Sequence, residues 1–87
     1  MQPITKFGKV IRIHLMEHGQ TIGVFSRKIG RAQLTVGRAL RQPLKSLTGT
    51  VLRILAALPA DVRHSAQDAL QEELQKELRK ELRKESK

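Results

Sequence analysis

Apolar positions in the first two-thirds of the chain recur at helical spacing. Ile4, Phe7, Ile11 and Leu15 mark one face of a first helix over residues 3–18. Pro3 is tolerated near its start, and Gly19 stops it. Thr21 caps a second helix whose inner face carries Ile22, Phe25, Ser26 and Ile29, and Gly30 ends it. A third helix is predicted over residues 32–41, stopping before Pro43. Ser46 or Thr48 caps a fourth, with Leu47, Val51, Leu52, Ile54, Leu55 and Leu58 on its apolar side and Pro59 as its interruption. From Ala60 or Asp61 onward the chain holds no Gly or Pro, which predicts one last helix running almost to the end. No segment sustains strand-like alternation. The expected fold is all-α: a four-helix body over residues 1–60, followed by a long amphipathic helix over 61–87.

Composition narrows the function. Eighty-seven residues make one small domain, and 39% hydrophobic residues suffice for a compact core. Two Phe, no Trp and no Tyr argue against modules that stack bases on several aromatics. The absence of Cys removes thiolate chemistry and fits a reducing, cytoplasmic setting. The longest purely apolar run is the five residues 54–58, so no membrane span is expected. Charged residues interrupt the first nineteen positions, which are not read as a signal peptide.

The net charge of +9 is unevenly placed. Residues 1–60 carry ten basic side chains and a single acid, Glu17, whereas residues 61–87 carry seven of each sign. A small unit with one carboxylate repels itself unless a polyanion is near. Duplex nucleic acid is the expected partner, since each cation set against a phosphate releases condensed counterions.

The segment TIGVFSRKIGRAQLTVGRALRQ, residues 21–42, resembles the helix-turn-helix of the Xre and phage Cro/repressor family of transcriptional regulators. Ser26 is small four residues before the turn glycine, Gly30, and lets the two helices approach. Phe25 and Ile29 flank it, and Val36 stands six beyond the glycine. The following PLKSLTGTVLRILAAL resembles the family's next helix. The chain departs from the family pattern at Ile22, where Gln is frequent, at Arg31, where an apolar residue is usual, and at Ala32, where Ser or Thr is usual. The resemblance covers residues 4–58 and implies a lambda-repressor-like body and a sequence-specific repressor of a phage, plasmid or other compact bacterial locus, acting by operator occupancy.

On a wheel of about 100° per residue, Leu34, Gly37, Arg38 and Arg41 fall on the outward half of the third helix, with Gln33 and Thr35 at its flanks. The N-terminal part of such a helix enters the major groove. The expected base-reading residues are Gln33, Leu34, Gly37 and Arg38: Gln suits adenine, Arg suits guanine, and an outward Leu suits a thymine methyl or packs under a loop. Thr21, Arg27, Lys28, Arg31, Thr35, Arg41, Lys45 and Ser46 are expected at phosphates, which set register without reading sequence.

In the tail, Leu70, Leu74, Leu78 and Leu82 recur every four residues. They are expected to pair two copies in a homodimer; a heterologous protein partner and a solvated extension are the other readings. His14 and His18 have a metal-binding spacing but no third ligand, so no metal or cofactor is expected. No nucleophile, phosphate-cradling loop or carboxylate pair suggests an enzyme. The alternatives to a repressor are an antitoxin-type DNA-binding protein whose last helix holds a partner, and an interaction adaptor without base recognition.

Overall fold

The computed structural model describes residues 5–46 and 48–85. Pro3, Ile4 and Leu47, and the last two positions of the expected tail helix, lie outside them. The described residues form α1 (Lys6–Glu17), α2 (Ile22–Ile29), α3 (Gln33–Arg41), a 3-10 turn (Pro43–Lys45), α4 (Thr48–Ala56) and α5 (Ala60–Glu85), with no strand among them. The protein is all-helical.

One core holds these elements. Phe7, Ile11 and Leu15 of α1 meet Phe25 and Ile29 of α2, Val36, Ala39 and Leu40 of α3, and Val51, Ile54 and Leu55 of α4. Ala66 and Ala69 of α5 belong to the same cluster, and Val62 and Leu70 pack against its edge. The boundary drawn at residue 60 therefore does not separate core from tail. Small side chains at 66 and 69 let α5 lie closely on α1, its principal neighbour. Leu70 is corrected accordingly: expected on an exposed stripe, it is half-buried against the body.

Helices of eight or nine residues are marginal alone, and here several helix ends, though not the start of α3, are closed by side chains. Thr5 Oγ1 accepts the Gly8 N–H at 3.0 Å and donates to the Leu40 carbonyl at 2.7 Å, so one hydroxyl caps the start of α1 and the end of α3. The start of α1 is thus set by Thr5 rather than by Pro3. Thr21 Oγ1 accepts the Val24 N–H at 3.2 Å, as expected of a cap. Gly30 ends α2 at φ +72°, a left-handed conformation that L side chains rarely adopt. Arg53 donates to the Ile29 carbonyl at 2.9 Å, and Arg63 donates to the Leu55 and Leu58 carbonyls, each at 2.9 Å. These two arginines complete helix C-termini. Lys6 Nζ donates to Glu72 Oε2 at 2.7 Å and holds that carboxyl below its ordinary range. Both groups are exposed, so the pair orients α5 on α1 more than it stabilises the fold. Its contribution is present above the unfolded carboxyl value and is lost as pH falls through the lowered one.

One buried group has no hydrogen bond: Thr50 Oγ1 is enclosed without a partner among the described residues. An unsatisfied hydroxyl costs about 1–3 kcal/mol. Thr50→Val keeps the shape and removes that cost. It should raise stability by about 1 kcal/mol, seen in urea unfolding as a higher midpoint at unchanged slope. A lower midpoint would mean that the hydroxyl is satisfied in solution.

Candidate nucleic-acid interface

Three residues of α3 fix its rotation. Val36, Ala39 and Leu40 are wholly buried, so the opposite face must point outward. Leu34 stands on that face at 84% exposure and packs under no loop. Arg38 and Arg41 are exposed on either side of it, and Gly37 is half-buried at the edge next to Arg41. A Cβ at position 37 would sit 3.8 Å from Arg41 Nη1, an ordinary contact. No side-chain clash requires glycine there.

The first turns of α2 and α3 converge. A Cβ at Gly23 would lie 3.2 Å from Gln33 Oε1 and 3.8 Å from Thr21 Oγ1. Gln33, exposed itself, thus lies across the start of α2 beside the Thr21 cap. Ala32 supplies no side-chain cap to α3, which leaves first-turn N–H groups of that helix for an external acceptor. Thr35 is half-buried on the flank of the same turn.

The cations divide into three groups. Arg27 is exposed on the last turn of α2, and Arg31 follows the Gly30 turn. Arg31 Nη1 donates to the Gly30 carbonyl at 3.3 Å, and its Nη2 would lie 3.9 Å from a Cβ at Gly49. The guanidinium therefore approaches the first turn of α4. Arg41 and Lys45 share a cleft of about 400 Å³ around the 3-10 turn, with Glu73 and Glu77 of α5 on its other side. Lys28 leaves this surface: it lines a different cleft with His14, His18 and Gln20 at the far end of α1. On a wheel of about 100° per residue, Lys28 sits on the flank of α2 opposite Gly23, which explains the separation from α3. Ser46 is half-buried and donates to the Gln42 carbonyl at 2.9 Å. Gly49 is not among the residues singled out from sequence, and the 3.9 Å approach of Arg31 is an ordinary contact that leaves no local signal there.

Helices α2 to α4 carry no acidic residue. The ion pairs among the described residues are Lys6–Glu72, His64–Asp68, Lys80–Glu77 and Lys84–Glu81, all involving α5. Among the described residues, Arg27, Lys28, Arg31, Arg38, Arg41 and Lys45 take part in none of these pairs, although Glu73 and Glu77 line the cleft that holds Arg41 and Lys45.

Compared with family models, curated proteins and solved structures, the chain matches none.

The His14 and His18 rings meet at a tilt of 47° with centroids 4.4 Å apart, and His18 Nδ1 lies 3.0 Å from the His14 carbonyl. Among the described residues no three His, Cys, Asp or Glu side chains gather as metal ligands, and no helix is long and apolar enough to cross a membrane.

Gly37 provides a test of the face. Alanine there should raise stability by about 1 kcal/mol, the usual helix-interior difference. If the backbone at 37 comes against a duplex, the same change should weaken binding. Chemical denaturation and fluorescence anisotropy measure the two effects separately, and greater stability with unchanged affinity would remove Gly37 from the contact.

Proposed function

We propose that the chain is a sequence-specific duplex DNA-binding regulator, a repressor acting by occupancy of its operator. In this reading α2, the Gly30 turn and α3 form a helix-turn-helix within a lambda-repressor-like body, and α3 enters the major groove. The observation that carries it is the outward face of α3. Leu34 is exposed between Arg38 and Arg41 on a helix that, like its neighbours α2 and α4, carries no acidic residue. A large apolar side chain in water beside two arginines suits a groove that offers thymine methyls next to guanine acceptors.

The two edges of this face suit phosphate contacts. Arg27, Arg31 and the first turn of α4 lie on one edge, and Arg41 and Lys45 lie at the other end of α3. Gln33, held over Gly23 beside Thr21, is the remaining candidate for a base edge or a first-turn phosphate. A single module of this size discriminates weakly, so two copies on an inverted repeat are expected, with recognition helices about 34 Å apart. Leu74, Leu78 and Leu82, exposed at 50%, 50% and 54%, favour such self-association. The same leucines support the second reading, an antitoxin-type protein that binds DNA and holds a partner through α5. Co-purification of a stoichiometric partner distinguishes it.

Arg38 and Arg27 separate the two kinds of contact. Arg38→Ala should cost about 1–3 kcal/mol on the preferred duplex and relax one position of the site. Arg27→Ala should weaken all sequences alike and reduce the salt slope by about one unit. Both side chains are exposed, so neither change should alter the helical spectrum. Unchanged duplex affinity in both variants contradicts the assigned face.

A further inference from the structure

The far half of α5 repeats a four-residue unit: Leu-Gln-Lys-Glu at 74–77, Leu-Arg-Lys-Glu at 78–81 and Leu-Arg-Lys-Glu at 82–85. Four residues turn a helix by about 400°, so each repeated position forms its own inclined stripe. The leucine stripe leaves the body edge at Leu70 and rotates about 40° per step, which carries Leu74, Leu78 and Leu82 away from α1. Their exposure of 50–54% records this. Glu73, Glu77 and Glu81 each precede a leucine of the stripe by one residue. Each Gln or Arg follows one, as in Leu74–Gln75, Leu78–Arg79 and Leu82–Arg83. The stripe therefore has an acidic flank on one side and an amide-to-basic flank on the other.

That asymmetry selects an occupant and its direction. We infer that the stripe is covered by a second copy of this chain, with the two α5 helices parallel and crossing at Leu78. The inference rests on the dimeric reading above and adds its geometry. In a parallel pair the two-fold axis runs along the helices, and the acidic flank of each copy faces the basic flank of the other. In an antiparallel pair acid faces acid and base faces base. Glu77 and Glu81 already pair with Lys80 and Lys84 through Oε1, at 3.5 and 3.6 Å. On a wheel of about 100° per residue these lysines lie on the side of the glutamates away from the leucines; Glu77 also lines the cleft with Arg41 and Lys45, whereas Glu81 is exposed beyond it and meets Arg79 of the second copy in the parallel pair.

The crossing angle follows from the same repeat. Ridges of residues four apart interdigitate at about −50°, so the contact is local, centred on Leu78, and is not an extended left-handed coil. A parallel pair also holds both bodies at the same end, where two α3 helices can address one duplex.

The chain contains no cysteine, so single cysteines report the pairing directly. Leu82→Cys should cross-link to itself under oxidation, because a parallel crossing at Leu78 brings position 82 near its own copy. A mixture of Leu74→Cys and Leu82→Cys chains should not cross-link preferentially between the two kinds. Preferential 74–82 cross-linking overturns the parallel arrangement while leaving the dimer. Absence of any cross-link, with wild-type protein sedimenting as a monomer at tens of micromolar, overturns the dimer as well, and duplex binding by α3 would be judged on its own titrations. A charge test stands beside this one. Arg79→Glu should raise the dimer dissociation constant by about tenfold, and adding Glu77→Arg and Glu81→Arg to the same chain should restore it. An unchanged constant in Arg79→Glu contradicts the parallel pairing.

Discussion

The complete burial of Val36, Ala39 and Leu40 is the constraint on which the rest depends. A nine-residue helix has little stability of its own, yet α3 contacts α1, α2, α4 and the 3-10 turn. Once its three inward residues are enclosed, its rotation is fixed. A rotation of one residue position, about 100°, would drive Arg38 or Leu34 toward the core. The exposure of Leu34 is thus a consequence of packing on the other side of the helix. A preorganised face of this kind loses little entropy on binding.

The arginines show how one residue type serves two ends. Arg53 and Arg63 turn back to the carbonyls of Ile29, Leu55 and Leu58 and close helix termini. Arg27, Arg38 and Arg41 face solvent. The difference lies in position. Arg53 and Arg63 point inward at the carbonyls that end a neighbouring helix, whereas Arg38 and Arg41, also in a last turn, lie on the outward side of α3. Positive charge near a helix C-terminus also favours the helix dipole, so part of the basic surplus supports the fold and the remainder supplies the surface.

Much of the body was legible in sequence. Thr21 and Gly30 carry local signals, a capping hydroxyl and a residue that tolerates positive φ, and both act as read. The stripe Phe7, Ile11, Leu15 and the inward set of α3 follow from periodicity. What escaped was tertiary. Nothing local marks Ala66 and Ala69 as core residues, but their small size lets α5 dock on α1 and draws Leu70 into the body. Lys28 looks equivalent to Arg27 because they are adjacent, yet one residue of helical rotation sends it to the cleft with His14 and His18. The role of Thr5 joins positions 35 residues apart and leaves no local trace. The outward face of α3 was readable because a helical wheel needs no knowledge of what lies behind it. The grouping of Arg31 with Gly49 required the fold.

Selection of bound duplexes from a random pool tests the central claim most directly. The wild-type chain, incubated with the pool at moderate salt and passed through several rounds, should enrich one short motif arranged as an inverted repeat. Affinity for that motif should exceed affinity for scrambled duplex by at least about a thousandfold. Enrichment of no motif, with equal affinity for every duplex and a salt dependence that accounts for all of the binding, would contradict sequence-specific recognition by α3.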